Sequence, residues 1–162
     1  MTDVPAPDSH PADANSDHTR GSHLAHCVTA SVAVDAETAF EFLADGMNQS
    51  YWALGSWDRR SLGDGIFVGT SLFDGSELFV RVVPRPETLV VDFETGRSPD
   101  SLAHHVEARV IRGETLGRPA ETCVVTLTIW RSDDVDDATW DLLGHCFATE
   151  IQMIRGRLEL RF

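Results

Sequence analysis

Lysine is absent from this 162-residue sequence, in which all thirteen basic residues are arginine and twenty-six residues are acidic. The absence excludes a Schiff-base lysine, the lysine of a phosphate-binding loop and a serine–lysine catalytic pair. The formal net charge of -13 argues against nucleic acid or an anionic membrane surface as a partner, because both attract basic patches and none is visible. The arginine-only basic set is typical of a GC-rich genome.

Cysteine is scarce, and long apolar runs are missing. The three cysteines, Cys27, Cys123 and Cys146, are neither closely paired nor spaced as metal ligands, so we expect neither a disulfide framework nor a zinc site. No apolar run has the length of a membrane span or the context of a signal peptide. The sequence therefore predicts a cytoplasmic protein with no metal, no cofactor and no membrane span.

Residues 1–22 consist mainly of Pro, Asp, Ser, Ala and His, a composition that buries too little apolar surface to order a chain. We predict a disordered acidic tail over 1–22 and a single domain over 23–162. The histidines at positions 10, 18, 23 and 26 follow no helical or strand spacing. This irregular spacing favours histidines scattered along a disordered segment over histidines that form a metal site.

The most regular pattern lies at the C-terminal end, from about residue 136 to 162. Apolar residues recur there every three or four positions, which is the period of one buried helix face, at Trp140, Leu143, Phe147, Ile151, Ile154 and Leu158. Aspartates precede this stripe and arginines follow its last turns, as the helix dipole favours. One long apolar face requires a broad partner, and the strand-like segments before it can supply only a sheet.

The chain before this helix reads as one strand, two short helices and six further strands. Residues 28–34 alternate as a half-buried strand does, and Asp35 can cap a helix over 36–44. A second short helical or irregular piece is predicted over 48–54. Glycine, proline and aspartate turns separate the remaining strands, which we place at 56–62, 66–73, 77–83, 88–95, 102–111 and 122–131.

Two stretches carry a resemblance to a known family: residues 32–45, VAVDAETAFEFLAD, and the stripe from 140 to 158. Together with the element order, they resemble the helix-grip fold of the START and birch-pollen-allergen superfamily, SRPBCC, over residues 24–162. The resemblance implies an α+β fold in which a curved antiparallel sheet of about seven strands surrounds the C-terminal helix, with a cavity between them. Members include polyketide cyclases and dehydratases, lipid or hormone carriers and receptors, and Hsp90-activator-like proteins. No cyclase catalytic motif can be matched residue by residue.

Strand alternation predicts which side chains of 102–111 would line such a cavity. His104 and Val106 share a face with apolar neighbours, whereas His105, Glu107 and Arg109 share the charged face. We therefore expect His104 to point inward, either as a satisfied core residue or as a residue that contacts a ligand or acts as a general acid or base. Val106 should line the cavity beside it.

Two residues of the C-terminal helix allow two interpretations each. Glu150 lies at the edge of the apolar stripe, where it is either an exposed flank residue paired with Arg155 or a buried carboxyl group with a raised pKa that contacts a ligand. Gly144 lies near the centre of the stripe, where it either permits a close backbone approach or leaves space for a ligand. Trp140 and Phe147, on the stripe itself, complete the predicted helix side of the cavity.

Aromatic residues cluster just before the second strand. Tyr51, Trp52 and Trp57 are expected at one end of the cavity, either contacting a ligand or filling the core. A weak second stripe on the opposite side of the helix indicates either a homodimer contact or scattered exposed apolar residues, at Leu142, Cys146, Met153 and Leu160.

Three functions are compatible with these patterns. The first is binding of a hydrophobic or aromatic small molecule by a carrier, sensor or accessory protein. The second is acid–base catalysis on such a molecule, of the cyclase or dehydratase type, with His104 as general acid or base and Glu150 or Tyr51 polarising the substrate. The third is a co-chaperone-like interaction module. Polar groups converging on one cavity would favour catalysis, and an almost wholly apolar cavity would favour carriage.

Overall fold

The computed structural model describes residues 23–160; the predicted tail over 1–22 and residues 161–162 lie outside that part. Two α-helices are present, α1 over Ala36–Ala44 and α2 over Asp137–Leu160, with a 3-10 helix over Gly46–Tyr51 and two shorter 3-10 turns over Pro99–Ser101 and Glu114–Leu116. The strands in chain order are β1 Ala25–Val32, β2 Trp57–Gly63, β3 Ile66–Thr70, β4 Glu77–Arg85, β5 Val90–Gly96, β6 Ala103–Arg112 and β7 Cys123–Trp130.

All seven strands form one antiparallel sheet in the order β1-β7-β6-β5-β4-β3-β2. Strands β2 to β7 follow one another as a meander, and β1 closes the order by pairing with β7, from Ala25 opposite Trp130 to Val32 opposite Cys123. The sheet curves around α2, so the predicted α+β helix-grip architecture is confirmed.

Helix α1 begins where its cap was predicted. The Asp35 carboxylate accepts hydrogen bonds from the Thr38 amide at 2.8 Å and from the Thr38 hydroxyl at 2.9 Å. These bonds satisfy a free helix N–H group and hold the pKa of Asp35 below its ordinary value. The helix buries Ala36, Ala39, Phe40 and Leu43. This packing positions the start of the 3-10 helix beside the cavity.

Helix α2 follows the predicted stripe. Asp136 precedes it and accepts the Thr139 amide at 2.8 Å, and five stripe residues are buried, with Leu143 packed partly buried against the same core. Burying one large apolar side chain is worth about 1.5–3 kcal/mol, so the stripe alone explains why α2 lies against the sheet. No helix within residues 23–160 is both long and apolar enough to cross a membrane.

Strand β3 ends at Thr70, three residues before its predicted end. The residues after it form a tight loop in which Asp74 accepts hydrogen bonds from the Ser76 amide and hydroxyl, and Gly75 has φ +70°. These local bonds compete with strand pairing. The loop leaves Phe73 half exposed at the edge of the cavity.

Candidate functional site

A cavity of about 290 Å³ lies between the inner face of the sheet and α2. Its size is near the lower end of the roughly 300–1,000 Å³ typical of small-molecule pockets. The wall comprises the segment 49–56, strands β4 to β7, the connection 132–135 and one side of α2. Its apolar side chains are Trp52, Ala53, Phe73, Leu78, Val80, Phe93, Val106, Ile129, Val135, Leu143 and Phe147. A few polar side chains interrupt this surface, at Gln49, Ser56, Thr95, His105, Ser132 and Glu150.

Glu150 is the deeply buried carboxyl group of this wall, with only 6% of its surface exposed. Its Oε1 accepts the backbone amide of Leu54 at 2.8 Å. Burial raises the pKa of Glu150 to about 8, and the Leu54 hydrogen bond offsets only part of that rise. Glu150 is therefore a buried carboxyl group with a raised pKa and not an exposed flank residue, and Arg155 pairs with Glu159 instead, at 3.2 Å. Its contact with a ligand stays a prediction.

The fixed Leu54 amide also decides which oxygen of Glu150 carries the proton. Because Oε1 must accept from Leu54, the neutral acid holds its proton on Oε2. Among residues 23–160, Oε2 has no hydrogen-bond partner. Below about pH 8, Glu150 thus offers one unused hydrogen-bond donor on a residue of the cavity wall.

The inward orientation predicted for His104 is wrong. Its ring is exposed, lies 3.4 Å from Asp92 through Nε2 and packs edge-on against Trp130, outside the cavity wall. The reason is a β-bulge: Phe93 pairs with Val106 but the next residue, Glu94, pairs with His104. One extra residue in β6 reverses the alternation beyond it.

The bulge brings His105 to the cavity instead. His105 is partly buried and lines the wall next to Val106, whose predicted position there agrees with the structure. Sequence reasoning missed His105 because a bulge depends on how two strands pack, and no residue in 102–111 signals it. The titratable residues of the wall are thus Glu150 on α2, Cys146 one turn before it and His105 on β6.

Of the three aromatic residues predicted at one end of the cavity, one lines it and two lie on the outer surface. Trp52 is buried, lines the wall and contacts Phe93 edge-to-face at 5.9 Å. Tyr51 is exposed with the Arg157 guanidinium 4.6 Å above its ring, and Trp57 is half exposed on β2. Neither Tyr51 nor Trp57 is part of the cavity wall, because the 3-10 helix and the strand turn them to the outer surface.

Trp140 and Gly144 form a different arrangement from the predicted one. The His26 ring stacks on Trp140 at 4.1 Å, and its Nε2 lies 3.0 Å from the Trp140 carbonyl oxygen. Gly144 permits this approach, since a Cβ there would lie 2.8 Å from the same ring. Neither residue lines the cavity, whereas Phe147 does. The close-approach reading of Gly144 therefore agrees with the structure.

Replacing Gly144 with alanine should destabilise the protein by about 1 kcal/mol, although alanine favours helices, because the His26 stacking and hydrogen bond would be lost. Gly156 on the same helix is the matched control, since no atom lies within 4 Å of a Cβ there. Gly156→Ala should stabilise by about 0.5–1 kcal/mol. Urea unfolding measures both, and equal stabilisation by the two variants would refute the role of Gly144.

The second helix stripe does not lie on one exposed face. Cys146 is buried and lines the cavity wall one turn before Glu150, and Met153 packs against the core. Leu142 and Leu160 are exposed as predicted. The interpretation of Cys146 as part of a dimer contact is therefore wrong, because the cavity wall covers more of the helix surface than the main stripe does. The homodimer itself stays a prediction.

No family model matches the sequence, and no curated protein matches it. Solved structures do match, at low identity. A START superfamily protein from Mycobacterium smegmatis has a TM-score of 0.64 and 12% identity over 86% of this chain and 99% of that one. The Zhui aromatase/cyclase from Streptomyces sp. R1128 has a TM-score of 0.60 and 16% identity over 85% of this chain and 94% of that one. The Aha1 dimer from Colwellia psychrerythraea has a TM-score of 0.61 and 13% identity over 85% of this chain and 97% of that one.

These similarities establish the fold. The chain has the helix-grip fold that START-like, aromatase/cyclase and Aha1 structures share. It is a helix-grip protein with a mainly apolar cavity, in which a buried carboxyl group is placed between the helix and the segment 49–56.

Proposed function

We propose that this protein binds a small, largely apolar molecule in the cavity between the sheet and α2. The observation that carries the proposal is a mainly apolar cavity with an unused hydrogen-bond donor on one of its wall residues, Glu150. Pockets for small molecules usually combine an apolar surface with a few placed polar groups. A carbonyl or ether oxygen on the ligand would accept a hydrogen bond from the Glu150 O–H group.

Carrier, sensor and accessory roles all require this binding step. A protein-interaction module would instead be expected to have a filled interior and an exposed apolar patch, so the cavity favours the small-molecule role.

The proposal is tested by native mass spectrometry of the purified protein under gentle and then denaturing conditions. We expect an adduct that leaves on denaturation, or, for an empty protein, uptake of the neutral fluorophore N-phenyl-1-naphthylamine. An empty protein that takes up no fluorophore would contradict the proposal.

Filling the cavity should abolish this binding. Val106→Phe places a larger ring on the wall, and we expect at least a tenfold weaker fluorophore affinity, because the added ring occupies ligand volume. Thr128→Phe is the matched control: its neighbours Leu127 and Ile129 in β7 are the buried, inward residues, so Thr128 faces outward. Fluorescence titration measures both, and equal affinities for the two variants would contradict binding in this cavity.

Catalysis in the same cavity is the second candidate function. The observation in its favour is that an acid, Glu150, and a potential base, His105, both belong to the wall. The reaction class predicted from the sequence is proton transfer leading to cyclisation or loss of water, and the fold similarity to the Zhui aromatase/cyclase supports it. Catalysis is supported if the mass of the bound molecule falls by that of one water on incubation with the wild type, and if Glu150→Gln binds the molecule without this change.

A further inference from the structure

The side-chain nitrogen and oxygen atoms that are completely shielded from solvent and lack a hydrogen-bond partner within residues 23–160 all lie between residues 49 and 59; Glu150 Oε2 is not among these shielded atoms. They are Gln49 Oε1, Trp52 Nε1, Ser56 Oγ and the three guanidinium nitrogens of Arg59. Nearly all buried polar groups in folded proteins are paired. Four unpaired side chains in one short stretch therefore indicate a place where a further polar group belongs.

Arg59 is the most demanding of the four. Only 6% of its surface is exposed, and burial lowers its pKa to about 10, so the guanidinium stays charged at neutral pH. Its central carbon lies 5.0 Å from the centre of the Phe67 ring, a contact that engages the face of the cation but none of its N–H donors. No carboxylate pairs with it in the part of the chain that the structure describes. A buried, unpaired cation is costly, and an anion is its natural complement.

The backbone of β2 turns Arg59 inward. Trp57 points outward, and simple alternation would send Arg59 outward as well. Asp58 has φ +48°, and the register with β3 shifts between Trp57 and Arg60. Such irregularities re-aim side chains. Arg60, the next residue, is exposed and pairs with Glu77 at 3.2 Å.

Building on the proposed function, we propose that the ligand of the cavity is an amphipathic organic acid whose anionic group is neutralised by Arg59. Gln49, Trp52 and Ser56 belong to the cavity wall, and Arg59, three residues after Ser56, is not itself part of it. The proposal requires the long arginine side chain to change its rotamer when the ligand binds, so that the guanidinium reaches the cavity. The Trp52 N–H and the Ser56 hydroxyl supply neutral donors to the same anion, whereas the unpaired Gln49 Oε1 is an acceptor and does not hold the anion.

The two titratable groups on the α2 side of the cavity do not oppose an anion. Glu150 is neutral below about pH 8 and is held by Leu54. On the α2 side, the thiol of Cys146 is also kept protonated, because burial raises its pKa. The anion would thus meet one buried cation and neutral hydrogen-bond donors.

Two fluorophores with the same apolar body test the inference. The anion 8-anilinonaphthalene-1-sulfonate carries a sulfonate that neutral N-phenyl-1-naphthylamine lacks. The wild-type protein should bind the anion about tenfold more tightly, as a charge-assisted hydrogen bond predicts. Arg59→Met should abolish that preference and leave the neutral probe unaffected, whereas Arg60→Met should change neither affinity.

The outcomes separate the inference from the proposed function. Uptake of neither probe overturns both. Equal binding of the two probes by the wild type, or a preference that survives in Arg59→Met, overturns only the role of Arg59. Arg59→Met should fold, because an apolar side chain of similar volume often replaces a buried charge without loss of stability. If the variant does not fold, a competition experiment on the wild-type protein replaces it. Decanoate should displace the anionic probe at about tenfold lower concentration than decan-1-ol. Displacement by the two compounds at equal concentrations would refute the inference.

Discussion

Glu150→Gln should make the protein more stable than the wild type above pH 8, by an amount on the order of 5 kcal/mol. The folded protein holds the Glu150 proton up to about pH 8, whereas the unfolded chain releases it near the ordinary value of 4.5. Between these values the folded state binds more protons than the unfolded state, so wild-type stability falls as pH rises. Glutamine is neutral at every pH and can still accept the Leu54 amide.

The prediction is measured by urea unfolding of both proteins from pH 4 to pH 9. The two should have similar stabilities near pH 4, where both side chains are neutral, and should diverge through the range from 4.5 to 8. Asp141→Asn is the control, because Asp141 is an exposed carboxylate on the same helix. It should keep the wild-type pH dependence. Parallel curves for wild type and Glu150→Gln would show that the carboxyl group is not buried as described.

Phe93→Ala should cost about 3–5 kcal/mol of unfolding free energy, the range for removing a fully buried phenylalanine. Phe93 is among the largest fully buried side chains, with 1% of its surface exposed, and it supports Trp52 edge-to-face at the cavity wall. Truncation would remove the contact to Trp52 and enlarge the existing cavity. The void therefore adds to the loss of apolar burial.

Phe73 supplies the matched control for this variant. It lines the same cavity, but half of its surface is exposed on the loop after β3. Phe73→Ala should cost less than about 1 kcal/mol, as exposed substitutions usually do. Thermal and urea unfolding measure both. Similar losses for the two variants would mean that Phe93 is not the packed support of the cavity wall.

The two helices were predictable because their signals are local. Asp35 and the residues after it carry a cap and a short apolar face, and α1 covers the predicted residues 36–44. The stripe from 140 to 158 repeats with the helical period, and α2 buries that face. Helix hydrogen bonds and helix faces depend on residues three or four positions apart, so the sequence itself contains the information.

The cavity residues were only partly predictable. Trp52, Val106, Phe147 and Glu150 line it, as predicted. His104 does not, because the bulge at His105 reverses the alternation of β6. The register shift in β2 has the same effect on Arg59, which alternation would place outside. Bulges arise from pairing between strands that are distant in sequence, which periodicity within one strand cannot reveal.

By itself, the sequence determined the buried face of α2 and the lack of lysine chemistry, since these follow from composition and short-range periodicity, while the helix-grip architecture was predicted from the family resemblance that residues 32–45, the helix stripe and the element order carry. Only the tertiary structure decided the chemistry of the cavity. Burial makes Glu150 a neutral acid although the Leu54 amide opposes part of the rise in its pKa, and two strand irregularities bring His105 to the cavity wall and bury Arg59. Burial sets both protonation and orientation, and burial is a property of the assembled elements.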